Sequence, residues 1–215
     1  TNRLNPVDMK IITEKQKEYI KKDISEFEQV LYGKNFSDKR IGYQAYIDMD
    51  NWVDYFIINE FAMNYDAGNL STYLYKELGG KLQLAVWDFN NGFDNYQWFR
   101  TETDVLHTVE NSWFKRLWQD ETFREHVCER YRQLRKTTLA DEHIAEKIAS
   151  YQEELGDAVD RNFKVWGYSF DEALLAGTSK DGTSRDIRSY EEAMKQLTDT
   201  IRERLAYLDK ELGGN

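Results

Sequence analysis

The chain has 215 residues, with 29 Lys+Arg against 39 Asp+Glu and a formal net charge of −10. That balance argues against a general nucleic-acid binder, which needs a basic face to neutralise phosphates. Hydrophobic residues at 40% and aromatics at 14% are too many for a disordered acidic chain, so a packed core is expected. The one cysteine, Cys128, excludes an internal disulfide framework and a Cys-based zinc site. It lies in a helix-like stretch and is expected to be a partly buried structural thiol. No stretch approaches the ~18 apolar residues of a membrane span, and no signal-peptide pattern is present. The chain opens Thr1-Asn2-Arg3 without an initiator Met, as a processed product would. No break in composition divides it, so a single domain over residues 1–215 is expected.

With one proline, Pro6, and long charged-apolar periodic runs, the chain reads as mainly helical. Thr13-Glu14-Lys15-Gln16 has the form of a capping box. Ile20, Ile24, Phe27 and Leu31 follow at helical spacing, and Gly33 is a stop signal. Residues 34–46 read as a loop with aromatic anchors. Asp50 is the expected N-cap of a second helix carrying Trp52, Phe56 and Phe61. The pattern then changes. Residues 71–76 and 81–87 are rich in β-formers, and Gly79-Gly80 between them supplies the positive φ of a tight connection, which predicts a β-hairpin. After a loop at 90–110, apolar stripes resume at Trp113, Phe114, Leu117 and Trp118, then at Phe123, Val127, Tyr131 and Leu134. A helical run from Leu139 through Phe163 follows. Residues 176–187, rich in Gly, Ser, Thr and Asp, read as a surface loop. A last helix carries Met194 through Leu212 and ends at Gly213-Gly214. The fold class is therefore α+β, helices dominant, with one β-hairpin after the second helix.

Two acidic residues stand out by position. Asp66 lies between the second helix and the first strand, and Asp88 immediately follows the second strand. A hairpin puts the start of its first strand beside the end of its second, so the two should converge at its open end, near Asn69, Ser71, Asn90 and Asn91. Two carboxylates with amide and hydroxyl oxygens form the hard-oxygen environment that Mg²⁺ prefers. Both residues are equally of the type that caps turns by bonding local backbone amides, and that reading stays open. The arrangement also follows the logic of protein kinases. There, one Asp accepts the substrate hydroxyl proton and a later Asp followed by Phe holds Mg²⁺.

The run from Asn64-Tyr65-Asp66-Ala67-Gly68-Asn69 to Tyr75-Lys76, followed by Val86-Trp87-Asp88-Phe89-Asn90, resembles the spore coat protein H (CotH) kinase family. So do Tyr46-Ile47-Asp48, the segment from Trp52 to Asn59-Glu60, Trp113-Phe114-Lys115-Arg116-Leu117, Arg161-Asn162-Phe163 and Arg204-Leu205. The likeness is strongest over residues 46–95. It implies the large, C-terminal lobe of an atypical protein kinase that phosphorylates Ser or Thr with Mg-ATP. By that resemblance Asp66 is the catalytic base or orienting group and Asp88 the Mg²⁺ ligand. Asn90 supports the metal directly or through water. Ser71 stands where ordinary kinases place a metal-binding Asn, offering a single hydroxyl oxygen instead. Asn64 is a partner for the loop around Asp66. No glycine-rich phosphate loop and no strand lysine paired with a helix glutamate precede residue 46. The nucleotide-binding lobe is thus expected outside this chain, and the isolated chain is expected to bind Mg-ATP weakly and to be inactive by itself. The implied partner is a protein substrate of the secreted or surface class, in a secreted, cell-surface or spore-coat setting. The competing reading is a non-catalytic coat or cell-surface assembly module.

Other candidates read as structural. His107, His126 and His143 show no metal-ligand spacing, and Ser112, Ser169 and Ser189 lack a nucleophile-elbow context. Trp113 and Trp118 fall in helical stripes and are expected in the core. Trp98 with Phe99 is the expected exposed pair, placed where a kinase holds its activation segment and suited to contact a protein substrate.

Overall fold

A computed structural model describes residues 12–95, 99–166 and 189–214. Within them lie seven α-helices and one two-stranded antiparallel sheet. Helix α1 (Glu14–Leu31) starts at the expected capping box. Thr13 Oγ1 accepts from Gln16 N, and Gln16 Oε1 accepts from Thr13 N at 2.7 Å. Its far end is capped by another helix. Arg116 donates to the carbonyls of Leu31 (3.1 Å) and Gly33 (3.2 Å) while its guanidinium lies 3.6 Å above the Phe36 ring. A cation is favourable at that end of the helix dipole.

Helix α2 (Met49–Ala62) is the centre of the molecule. Its N-cap is Asp48, whose side chain accepts from Asn51 N, and the expected Asp50 sits in the first turn instead. Backbone decides this: Asp48 is extended, with φ −78° and ψ 104°, whereas Asp50 is already helical. Trp52, Val53, Tyr55, Phe56, Ile57, Phe61 and Ala62 are all buried, so α2 is apolar nearly all round, as a core helix must be. Helix α3 (Ser112–Leu117) adds Trp113 and Phe114. Together with Phe27 they build a ring cluster on Trp52 with centroid separations of 5.5–5.8 Å. Each such pair adds about 0.5–1.5 kcal/mol beyond area burial. Trp113 is buried in the core as expected, and Trp118, partly buried, stacks on Phe56 against it.

Helix α4 (Glu121–Leu134) packs on α2 through Phe123, Val127 and Tyr131. Its N-cap Asp120 accepts from Thr122 N and, through its other oxygen, from the Tyr43 hydroxyl at 2.7 Å. Cys128 on α4 is partly buried, and burial pushes its thiol pKa up. The run from Leu139 to Phe163 is not one helix. Gly156, at φ 42° and ψ −129°, divides it into α5 (Asp141–Leu155) and α6 (Ala158–Trp166). Only glycine visits that conformation freely. Helix α7 (Tyr190–Glu211) begins at Ser189 and ends before Gly213-Gly214. The expected loop at 176–187 lies outside the described residues.

The hairpin is real but shorter than predicted. Strand β1 (Tyr73–Tyr75) pairs with β2 (Gln83–Ala85) in the register Tyr73↔Ala85, Leu74↔Leu84 and Tyr75↔Gln83. Gly79 in the connection has φ +75°, and Gly80 N bonds Glu77 O. So short a hairpin is not stable by itself; it is held from outside. Leu82 O accepts from Asp48 N (3.0 Å) and from Trp52 Nε1 (2.9 Å), and Leu82 N donates to Tyr46 O. Asn51 takes both backbone groups of Leu84, at 2.7 and 3.2 Å, standing in for a missing third strand. Lys76 pairs with Asp23 of α1 at 2.6 Å.

One polar network crosses the core. Glu60 on α2 and Arg204 on α7 form an ion pair at 2.6 Å with both side chains fully buried. Arg204 also donates to the carbonyls of Glu60, Thr103 and Val105. The Glu60 carboxylate accepts from His107 N (3.0 Å) and Thr108 N (2.6 Å). A buried charge pair survives only with its remaining donors and acceptors met, and here the segment 103–108 supplies them. Among the described residues no helix is long and apolar enough to cross a membrane.

Candidate active site at the open end of the hairpin

The first loop of the site begins where α2 stops. Met63, at φ 51° and ψ 42°, caps α2 in the left-handed region. Asn64 is buried. Its Nδ2 donates to Asn59 Oδ1 at 3.0 Å, and its Oδ1 meets no donor among the described residues. Its carbonyl accepts from Ala67 N, so it supports the loop from behind. Asp66 O then accepts from Asn69 N (3.1 Å) and Leu70 N (2.8 Å), closing a turn that leaves the Asp66 side chain half-buried. Gly68, at φ +76°, lies against α3: a Cβ there would stand 3.2 Å from Asn111 Cβ and 3.4 Å from the Phe114 ring. Asn111 holds the loop by donating to Ala67 O at 2.8 Å. Thr72 Oγ1 accepts from Gly68 N, and the Tyr55 hydroxyl joins the same group. Burial pushes the Tyr55 pKa up, against its bonds to Thr72 and Gly68.

The second loop leaves β2. Asp88 is exposed and takes φ 58°, a left-handed conformation that Asp tolerates better than most residues. Gly92 N bonds Phe89 O, and Phe93 N donates to Ala62 O at 2.6 Å, at the end of α2. The Phe93 ring meets Phe61 edge-on at 5.2 Å. Asn95 donates to Asn90 O at 2.8 Å. Both loops are therefore fastened to the same end of the same helix.

Two hydrogen bonds cross between them. Ser71 Oγ donates to Asp88 Oδ2 at 3.2 Å, and Asn91 Nδ2 donates to Asp66 Oδ2 at 3.2 Å. The hairpin thus brings Asp66, Ser71, Asn90, Asn91 and Asp88 to one place. A turn-capping Asp bonds amides of its own loop, whereas each of these carboxylates is bonded by a side chain of the other loop. Asn90 is exposed and turned toward Asn91, its Nδ2 3.4 Å from Asn91 Oδ1.

A comparison with protein families matches residues 2–208 to the family described as CotH kinase protein. The chain belongs to the CotH kinase protein family. No curated protein and no solved structure matches it. Kinase-family membership implies ATP use. Among the described residues no three His, Cys, Asp or Glu side chains converge into a metal-binding group.

Three features of this CotH-family site escape sequence reading. Asn91 is expected near the two carboxylates, but that it and not Asn90 reaches Asp66 is seen only in the structure. Glu60 and Arg204 both fall in segments that carry the family resemblance, and each is a charge on a largely apolar helix face, but neither signal shows that the two meet in the core. Asn111 and Tyr55, far away in sequence, form the back wall of the Asp66 loop. Of the expected pair at 98 and 99, Trp98 lies outside the described residues. Phe99 is 41% exposed and packs edge-on against Tyr65, beside Asp66, at 5.1 Å. His107 is half-buried with its Nε2 2.7 Å from Glu102 O. Burial pushes its pKa down, opposed by that carbonyl and by the Glu60 carboxylate.

Proposed function

We propose that this chain is the large-lobe part of an atypical protein kinase that transfers the γ-phosphoryl group of ATP to a Ser or Thr hydroxyl of a secreted or surface protein. The observation that carries this reading is the crossed pair of bonds that holds Asp66 and Asp88 together at the hairpin mouth, in a chain of a kinase family. Mg²⁺ fits the donor set. Asp88 is exposed, Ser71 Oγ adjoins it, and Asn90 adds an amide oxygen on the same loop. Mg²⁺ is commonly held by one or two carboxylates plus substrate phosphates and water. When bound, it would neutralise charge on the transferring phosphoryl group.

The side chains do the remaining tasks. Asp66 accepts the hydrogen bond of the incoming hydroxyl and takes its proton as the oxygen attacks. The turn through Asn69 and Leu70 sets where that carboxylate stands. Ser71 fixes Asp88, and its hydroxyl takes the place of the amide that ordinary kinases use. Phosphoryl transfer depends mainly on positioning and charge stabilisation, and two loops fastened to one helix end supply the positioning.

The test is phosphate incorporation from labelled ATP by the natural full-length protein, wild type against Asp88→Ala. Loss of incorporation is expected; equal incorporation rejects the metal-site assignment. A second reading, a non-catalytic coat or surface assembly module, is favoured by the exposed apolar side of the hairpin. Trp87 (60% exposed) and Tyr73 (51%) meet edge-on at 5.5 Å, and Leu70, three residues before Tyr73, is also exposed (60%). If the wild-type protein transfers no phosphate, that reading takes precedence.

A further inference from the structure

The crossed bonds are unequal in what they touch. One ends on Asp88, the other on Asp66, and the donor to Asp66 is a residue with no role assigned so far. We infer that Asn91 is a positioning residue for Asp66 in phosphoryl transfer, an inference that rests on the kinase reading above. Its place is built, not incidental. Gly92 lets the loop lie against α2: a Cβ there would stand 3.1 Å from both Ala62 O and Phe89 O. Phe93 N then locks onto Ala62 O, and Asn95 holds Asn90 O. Asn91 is fixed between these ties, half-buried, with its Nδ2 on Asp66 Oδ2.

The amide's own orientation is decided by its neighbours. A carboxylate oxygen requires a donor, so Nδ2 must face Asp66, and the Asn91 Oδ1 faces the Nδ2 of Asn90. Asn90, Asn91 and Asp66 thus form a short directional chain running from the metal-side loop to the hydroxyl-orienting carboxylate. With one Asp66 oxygen held by Asn91, the other is the one to accept from the substrate hydroxyl. A rotation of the carboxylate would misplace the acceptor, and misplacements of about 1 Å cost on the order of 100-fold in rate.

The experiment is steady-state kinetics of the natural full-length protein with Mg-ATP and protein substrate, comparing wild type, Asn91→Ala and Asn91→Asp, with melting temperatures taken alongside. Asn91→Ala is expected to lower kcat by roughly 10- to 100-fold. The KM for ATP should stay within about threefold, because Asn91 touches the carboxylate and not the nucleotide. Asn91→Asp, of the same size but facing Asp66 with a like charge, should fall below Asn91→Ala. A merely structural Asn would move the melting temperature and leave kcat of the folded fraction unchanged. An active wild type with Asn91→Ala within about twofold in kcat, or with the loss confined to KM, overturns the inference while sparing the kinase reading. A wild type that transfers no phosphate overturns both.

Discussion

Asp66 and Asp88 hold their places through bonds neither makes alone. Asp66 sits on a turn closed by its own carbonyl and is oriented from outside by Asn91; Asp88 sits in a left-handed conformation and is met by Ser71. If Asp66 is the proton acceptor proposed above, Asp66→Asn, which keeps the shape, is expected to lower kcat by about 10²- to 10⁴-fold with folding intact. Rapid-quench or steady-state assays with labelled ATP measure it, and an unchanged kcat rejects the base assignment. Glu60 belongs to stability. Glu60→Gln leaves the Arg204 guanidinium buried without its counter-charge, a loss of about 3–5 kcal/mol by urea unfolding. The double variant Glu60→Gln/Arg204→Met should lose less than the sum of the single changes, because the second removes the charge that the first strands.

At the scale of elements, the hairpin is the instructive case. Its existence and its place after the second helix are readable from β-formers around Gly79-Gly80. Its length is not. The strands run only over Tyr73–Tyr75 and Gln83–Ala85 because α2 takes over part of the pairing through Asp48, Asn51 and Trp52. Asn51 supplies both partners of Leu84, so Asn51→Ala leaves an amide and a carbonyl unmet in a part-buried place. The expected cost is about 1–3 kcal/mol, with faster amide exchange at Leu84 as a local readout; slow exchange there in the variant contradicts the strand-mimic role. The N-cap of α2 and the division of α5 from α6 follow the same rule. Several nearby Asp residues fit a cap equally well by type, and only the backbone shows that Asp48 is extended and that Gly156 takes a positive φ with ψ −129°.

For the whole molecule, buried groups set the pH range of stability. Burial lowers the pKa of His107 below its ordinary value near 6.5, so the unfolded chain binds a proton that the folded chain resists. Stability from this group is complete above about pH 6.5 and falls as pH drops through that region. Tyr43 and Tyr131 behave oppositely. Burial first, then the carboxylates of Asp120 and Asp209, raise their hydroxyls far above the ordinary value. The folded chain therefore keeps protons that the unfolded chain releases above about pH 10, and stability declines there. Thermal unfolding between pH 5 and 11 should show a plateau with both flanks, and His107→Gln should flatten the acid flank. An acid flank of equal slope in the variant removes His107 as its cause.

By itself the sequence determined the mainly helical class of the fold, the apolar faces of its helices though not every helix boundary, the hairpin, and the pair of carboxylates at its open end. These depend on local periodicity, on glycine and capping chemistry, and on the geometry any hairpin imposes on the residues flanking it. Tertiary structure decided which amide orients which carboxylate, how a three-residue sheet is held, and that Glu60 and Arg204 meet in the core. Asn90 and Asn91 are chemically identical neighbours, and nothing local distinguishes them. The approach of Gly92 to the end of α2 does, because it turns one of the two toward Asp66 and leaves the other in solvent. The acidic excess from which the sequence reading began thus divides by position: most of it is solvated helix surface, Asp66 and Asp88 are oriented by side chains across the hairpin mouth, and Glu60 is held by segments distant in sequence.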